Sequence, residues 1–384
     1  MNAADPPPGP PADSAGFLLC SCQGGAEAAL RQRAALVLPA ARPAAWRRGV
    51  VSFRLPADQP DLARRRIDAI ADQLVFARTV IHSLGQVTGS DDAARASAAV
   101  ERAGREGWQA VHVWSRAARL AAVAVDPQAS AARSAVLAAC GLPASLPEQA
   151  RPGDRVLDCL IDSADRWWVG WHQAGGPPSC WPGGIHPAAI KPLPAGVVSR
   201  AWLKLDEAIA TFELPLARDQ RAIELGAAPG GACQRLLEAG MRVVGVDPAL
   251  VDPAVASLPG FTQWRMRARE VPVRRFKGCD WLLADMNIDP ASTLAALGRV
   301  ATARGVRLEG IIATLKIPEW SRAAALPEWL ETFRGWGFRP QARQLSSGGR
   351  EVCVVALRKA PSGSAGRSRL QPSIQPPPSS RSPA

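Results

Sequence analysis

The stretch AIELGAAPGG, residues 222–231, decides the fold of the C-terminal half of this 384-residue chain. It reads as a short apolar strand that runs into a glycine-rich turn, and residues 232–239 then follow a helical pattern. Glycines let the backbone pass close to a ligand, and the first turn of a helix offers N–H groups without helical partners. The sequence therefore predicts a ligand site at the carboxyl end of this strand.

The spacing of the glycines excludes two common phosphate-binding turns, because neither G-x-G-x-x-G nor G-x-x-x-x-G-K-[ST] is present. An acid on the strand, Glu224, and the corner at 229–231 favour instead a cationic sulfonium ligand with a free amino group. About twenty residues later the second strand ends at Asp247, which is placed to accept hydrogen bonds from ribose hydroxyls. The alternative interpretation is an ordinary strand-turn-helix connection whose glycines serve packing.

Outward from this turn, helical and strand patterns alternate regularly. A helix is predicted from Ala201 to Phe212. Strands are predicted at residues 222–225, 242–246, 261–266, 281–284, 310–315 and 352–357. Such alternation is typical of an α/β domain with a doubly wound, mainly parallel sheet, which we expect to cover residues 195–360.

Two of these strands end in a charged residue, at the sheet edge where ligands bind in open α/β folds. The fourth strand ends at Asp285 and the fifth at Lys316. Burial and a nearby cation both favour a neutral amine, so Lys316 could act as a base. Taken singly, Asp285 is equally well a helix cap. For Lys316 the less favoured alternative is a surface lysine. Lys204 and Glu351, taken singly, are typical surface charges.

Together, four charged residues around the turn resemble the Lys-Asp-Lys-Glu tetrad of the FtsJ-like ribose 2′-O-methyltransferases: Lys204, Asp285, Lys316 and Glu351. Neighbouring segments are similar to those of the members that act on a cytidine of bacterial 23S ribosomal RNA: LKLDEA (203–208), GAAPGG (226–231), LKIP (315–318) and REV (350–352). The resemblance implies a Rossmann-like class I methyltransferase domain with a seven-stranded, mostly parallel sheet. It also implies a ferredoxin-like module and a THUMP-like RNA-binding domain before it.

The resemblance implies S-adenosylmethionine as the cofactor and no metal. The cofactor would be bound by Glu224, Gly226, Ala227, Ala228, Pro229, Gly230, Gly231, Asp247 and Asp285. Lys316 would take the proton of the ribose hydroxyl, with Lys204 favouring its neutral form and Asp285 orienting its amine. Glu351 would hold Lys204 or the ribose. Two positions depart from the family pattern, since Glu224 replaces an aspartate and Ala232 replaces an aromatic residue.

The N-terminal half has weaker patterns. Strands are predicted at 17–20 and 49–53, with helices at 27–36 and 62–74, and a strand hairpin at 155–171 turns at 162–165. A linker rich in Gly and Pro spans 175–194. We expect a disordered tail at 1–15, the ferredoxin-like module at 16–75, the THUMP-like domain at 76–190, and a disordered basic tail at 361–384.

Composition indicates an anionic partner, since 46 Lys and Arg against 34 Asp and Glu give a net charge of +12. The resemblance implies that this partner is ribosomal RNA of the large subunit, before full assembly. It would be bound by Arg42, Arg47, Arg48 and 64–66, with stacking by some of the 13 Trp. The eight cysteines and four histidines lack metal-ligand spacing. No signal peptide or membrane span is evident, so we expect a cytoplasmic protein, and a monomer is favoured over oligomers.

Other functions predict different features. A small-molecule O-methyltransferase needs neither the basic charge nor so large an N-terminal half. An amino-group methyltransferase would show [DN]-P-P-[FY] where this chain has residues 285–288, DMNI, and a cytosine-C5 enzyme needs a cysteine near that strand end, whereas Cys279 precedes the strand. A non-catalytic RNA-binding or ribosome-assembly protein on a methyltransferase scaffold stays open.

Overall fold

The computed structural model describes residues 16–56, 70–116 and 126–358, and these form two seven-stranded sheets. One sheet belongs to the N-terminal half of the chain and the other to the C-terminal half. Both predicted tails, and most of the predicted helix at 62–74, lie outside the described residues.

The N-terminal sheet is mixed, with strand order β2-β3-β1-β4-β7-β6-β5. Only the β5–β6 pair is parallel, and all other neighbours are antiparallel. Its elements are β1 Phe17–Cys22, α1 Glu27–Val37, β2 Arg42–Arg47, β3 Val50–Arg54, β4 Ala77–Thr88, α2 Asp92–Ala103, β5 Ala110–Ser115, α3 Pro127–Cys140, β6 Arg155–Ser163 and β7 Arg166–Gln173. The predicted strands at 17–20 and 49–53, the helix at 27–36 and the hairpin at 155–171 are confirmed.

Strand β4 was missing from the sequence prediction, although it is the central strand of the N-terminal sheet. It has twelve residues and pairs with β1 on one side and β7 on the other. One sheet therefore contains strands from both sides of the boundary that we expected between residues 75 and 76. Gly85 and the buried polar residues His82 and Ser83 break the alternation that identifies a strand. The ferredoxin-like and THUMP-like assignments stay predictions.

Helices α2 and α3 were also missed, although their ends carry strong local patterns. The side chain of Asp91 accepts a hydrogen bond from the backbone N–H of Ala94 at the start of α2. Asp126 caps α3 in the same way, and the helix ends at Gly141 in the left-handed conformation. An aspartate before the first turn and a glycine after the last are the residues that helix ends prefer.

The C-terminal sheet has strand order β10-β9-β8-β11-β12-β14-β13, which confirms the predicted mostly parallel α/β sheet. The first five strands in that order are parallel, and β14 is antiparallel to both of its neighbours. Its elements are α4 Ala201–Thr211, β8 Arg221–Leu225, α5 Gly231–Glu238, β9 Arg242–Val246, α6 Pro253–Ala256, β10 Phe261–Trp264, β11 Trp281–Ala284, α7 Pro290–Ala301, β12 Gly310–Lys316, α8 Leu326–Gly335, β13 Phe338–Arg343 and β14 Glu351–Arg358. The sequence did not predict β13, an edge strand that contains Pro340, because proline within a run argues against a strand.

This topology brings distant parts of the sequence to one edge of the sheet. The parallel strands β8, β9, β11 and β12 all end at that edge. Because β14 runs the other way, its first residue lies there too, and Lys316 is paired in register with Glu351. The residues that the sequence selected at strand ends therefore meet at one place.

The two halves pack on each other. One apolar cluster contains residues of both, among them Phe53, Phe76, Phe333 and Phe338. The segment 175–194 joins the halves as predicted, but part of it is buried, including Trp181 and Ile185, and it contains two short 3-10 helices. Among the described helices, none combines the length and the apolar character that crossing a membrane requires.

Candidate active site

The glycine-rich turn after β8 lies directly against the segment that follows β11. Gly226 and Gly230 have φ values of 83° and 116°, a region that favours glycine. A Cβ atom on Gly226 would lie 2.8 Å from Cγ of Met286 and 3.2 Å from the carbonyl oxygen of Asp285. The turn and Asp285 are thus neighbours, and only glycine permits this approach.

Asp247 lies beside the same turn, at the end of β9. One of its carboxylate oxygens accepts a hydrogen bond from the backbone N–H of Ala228 at 3.1 Å, and the other accepts from Ala249 at 2.8 Å. Gly245, two residues earlier, is also required by packing, since a Cβ there would lie 2.9 Å from Cβ of Ala227. The structure therefore places the predicted cofactor residues 226–231 and Asp247 in one continuous cradle.

Glu224 lies beneath this cradle and not at its surface. Its side chain is buried, and the thiol of Cys233 donates to one of its oxygens at 2.9 Å. Burial raises the pKa of Glu224 to about 8. The carboxyl group thus links β8 to the first turn of α5, and its role as a direct cofactor contact stays a prediction. Cys233 was not recognised from the sequence.

The four charged residues selected from the sequence form a closed ring of ion pairs. The carboxylate of Asp285 contacts the amines of Lys204 and Lys316, each at 2.8 Å. The carboxylate of Glu351 contacts the same two amines, at 3.0 Å and 2.6 Å respectively. Each carboxylate uses one oxygen for each lysine, so both acids bridge both lysines. We call these residues the tetrad.

The tetrad is mostly shielded from solvent, and its two positive and two negative charges balance. Burial works against the charge of Lys204, but the carboxylates of Asp285 and Glu351 outweigh it and raise the pKa of Lys204 above its ordinary value. Burial also works against the charge of Asp285, and the two lysines outweigh it and lower the pKa of Asp285. The sequence suggested a direct effect of Lys204 on Lys316, whereas the structure connects the two amines through bridging carboxylates.

Outside the tetrad, a second polar cluster is buried on one face of the N-terminal sheet. It consists of His112, Asp158 and His172, whose side chains could hold a metal ion. The ring of His172 hydrogen-bonds to Asp158 through Nδ1 and to the carbonyl oxygen of Ser179 through Nε2. These contacts occupy both ring nitrogens of His172, so a metal ion could bind this ring only if one of the two hydrogen bonds were lost.

Comparison with known proteins finds a family match within the C-terminal half of the chain. Residues 197–304 match the FtsJ-like methyltransferase family. This FtsJ-like region contains Lys204, the glycine-rich turn and Asp285, while Lys316 and Glu351 follow it in sequence. The resemblance that the tetrad suggested is thereby confirmed.

Curated relatives of this chain carry the name "Ribosomal RNA large subunit methyltransferase M". The protein from Thauera aminoaromatica is 32% identical over 192 residues, which cover 48% of this chain and 50% of that protein. The protein from Azoarcus sp. (strain BH72) is 34% identical over 200 residues, with coverages of 48% and 50%. The protein from Halorhodospira halophila is 32% identical over 188 residues, with coverages of 48% and 53%. The chain thus spans about half the length of the curated relatives it matches.

Proposed function

We propose that this protein uses S-adenosylmethionine to methylate a ribose 2′-hydroxyl in RNA, and that its target is a cytidine of 23S ribosomal RNA. The observation that carries the proposal is the tetrad, whose two lysines and two acids converge beside a glycine-rich turn. The match to the FtsJ-like family and the names of the relatives support it.

The charged groups around the cradle suit S-adenosylmethionine. Gly226 and Gly230 let the turn pass close to Met286 and Val251, and the acids Asp247 and Asp285 follow the strands on either side of β8. Carboxylates suit a ligand that carries an ammonium group, a sulfonium group and ribose hydroxyls. Residues 226–231 together with Asp247 and Asp285 would hold this cofactor, which supplies an electrophilic methyl group when bound.

The tetrad would activate the hydroxyl. A ribose hydroxyl is a weak nucleophile at neutral pH, so a base must remove its proton as it attacks, and Lys316 takes that role. Asp285 and Glu351 both accept hydrogen bonds from the amine of Lys316, at 2.8 Å and 2.6 Å. Lys316 must therefore give up at least one of these contacts and release a proton to solvent, so that the lone pair of its amine can accept the proton of the ribose hydroxyl. Lys204 keeps the two carboxylates in place while these steps occur.

The N-terminal half would bind the RNA. Every residue of edge strand β2 is exposed, including Arg42 and Arg47, and the exposed Trp46 has its ring 5.6 Å from the guanidinium carbon of Arg31. Cations and an aromatic face on one exposed strand are typical of sites that bind phosphates and stack on bases. The substrate would be large-subunit RNA before full assembly, which would locate the activity in the cytoplasm, and the protein would act as a monomer without a metal ion.

Ribose methylation mapped across all ribosomal RNA, in cells with and without this gene, tests the proposal. The expected result is the loss of one 2′-O-methylated cytidine in 23S RNA, restored by the wild-type gene and not by a Lys316→Ala copy. If no ribosomal site changes, the proposal is wrong. That outcome favours an RNA-binding assembly protein or a small-molecule methyltransferase.

A further inference from the structure

The loop between β13 and β14, residues 344–350, connects three parts of the molecule, and we call it the junction loop. Its side toward the N-terminal half is fixed by Gln344, whose backbone N–H donates to the carbonyl of Val75 at 2.9 Å and whose side chain donates to Gln23 at 2.6 Å. The backbone N–H of His186 donates to the hydroxyl of Ser346 at 3.1 Å. The loop ends at Glu351 of the tetrad.

On its other side the junction loop is held by Glu207 of helix α4. This carboxylate is 2% exposed. One oxygen accepts hydrogen bonds from the backbone N–H and the hydroxyl of Ser346, at 2.6 Å and 2.8 Å, and the other accepts from the backbone N–H of Ser347 at 2.7 Å. A buried carboxylate with three donors forms strong, charge-assisted bonds. Glu207 is therefore the main polar attachment of the loop to α4, where Arg200 adds one bond to the carbonyl of Ser347.

The position of the junction loop determines where Glu351 lies. The carbonyl of Arg350 accepts a hydrogen bond from Ile317, the residue after Lys316, at 2.7 Å. The backbone of Gly348 also lies close to Glu351, since a Cβ there would be 3.1 Å from one of its carboxylate oxygens. A shift of the loop would therefore move the carboxylate that bridges both lysines.

We propose that Glu207 is a positioning residue that sets the geometry of the tetrad through the junction loop. Helix α4 carries Lys204 one turn before Glu207, so the carboxylate of Glu207 fixes the distance between the helix that bears one tetrad lysine and the strand that bears Glu351. The inference rests on the proposed function, because it assigns a role within the same reaction. It adds a residue that touches neither the cofactor cradle nor the tetrad.

The first test replaces Glu207 with Gln, which keeps the size of the side chain but presents an amide to one of the three donors. We expect kcat for RNA methylation to fall by about tenfold to a hundredfold, because displacements of about 1 Å have effects of this size. KM for S-adenosylmethionine should stay within about twofold, since the cradle is untouched. Ser346→Ala removes one of the three bonds to Glu207, together with the acceptor for the backbone N–H of His186, and should give a smaller loss. Glu213→Gln, an exposed acid just beyond α4, is the matched control and should behave as wild type.

Two further measurements separate positioning from a general loss of structure. In the background of Glu351→Gln, the Glu207→Gln change should cost less than about threefold, because both act on one group and their effects are then not additive. Hydrogen exchange should show that the amides of Ser346 and Ser347 lose protection in Glu207→Gln while the amides of β12 keep theirs.

Full additivity with Glu351→Gln, or unchanged kcat in Glu207→Gln, would overturn the positioning role. Hydrogen exchange needs no activity, so it tests the attachment of the loop even if the wild-type protein methylates no RNA. A wild-type protein that methylates no RNA would contradict the proposed function but not the contact between Glu207 and the junction loop. Unchanged protection of Ser346 and Ser347 would overturn the inference by itself.

Discussion

The two halves of the chain use their charged residues in opposite ways. In the C-terminal half, four charges from distant parts of the sequence converge in a ring that is mostly shielded from solvent. In the N-terminal half, Arg42 and Arg47 stand on a fully exposed edge strand. Bringing charges together away from solvent costs desolvation free energy, so such clusters are typical of reactive sites. Dispersed, solvated cations are suited to contact with an extended anion. The comparison indicates chemistry in one half and attachment in the other.

The largest effect should follow from removing the proposed base. Lys316→Ala should lower the single-turnover rate of methylation by about a hundredfold to ten-thousandfold, the usual contribution of a general base. Binding of S-adenosylmethionine, measured by calorimetry, should stay nearly intact because the cradle is unchanged. Lys277→Ala, which removes an exposed lysine of the same half, is the control. A Lys316→Ala protein that retains most of its activity would contradict the claim that the tetrad of the C-terminal half carries out the chemistry.

Local chemistry made the C-terminal half predictable from sequence. The glycine-rich turn needs glycine at Gly226 and Gly230 for steric reasons, and strands that end at one edge bring Asp285 and Lys316 together once the sheet is recognised as parallel. Lys204 and Glu351, taken singly, could not be distinguished from surface charges, and only the family resemblance selected them.

What the sequence could not show depends on long-range packing. Strand β4 lacks a clean alternation because it lies between two other strands and carries buried polar residues, and β13 is an edge strand that tolerates Pro340. The attachment of Glu207 to the junction loop joins residues about 140 positions apart, which no local pattern reveals. In contrast, the caps of α2 and α3 were readable and were missed.

The second prediction concerns the buried acid beneath the cradle. Burial raises the pKa of Glu224 from 4.5 to about 8, so its contribution to stability is present below pH 4.5 and is lost as the pH rises to about 8. Relative to Glu224→Gln, which does not titrate, the wild-type protein should lose on the order of a few kcal/mol of unfolding free energy between pH 5 and pH 9. Urea denaturation at several pH values measures this difference, and a difference that is independent of pH would contradict the account.

A third, smaller effect is expected on the exposed strand. Arg47→Gln should weaken RNA binding a few-fold at moderate salt and reduce the slope of log affinity against log salt by about 0.7, the value for one contact with a single strand. The rate of the chemical step should not change. Arg242→Gln, at the exposed first residue of β9 in the C-terminal sheet, is the control for loss of one positive charge. Equal effects of both variants would show that β2 is no special RNA surface.

Removal of metal should have the smallest effect. Dialysis against EDTA should leave both the methylation rate and the melting temperature unchanged, since the proposed mechanism uses no ion and His172 is held by hydrogen bonds to Asp158 and Ser179. A lower melting temperature that zinc restores would show that the cluster with His112 is a metal site after all.

The most direct test of the central claim identifies the product. Purified protein is incubated with labelled S-adenosylmethionine and 23S RNA from cells that lack the gene, and the RNA is digested to nucleosides for mass spectrometry. The account predicts label in 2′-O-methylcytidine with wild-type protein and none with Lys316→Ala. Label on a base, or equal labelling by both proteins, would contradict it.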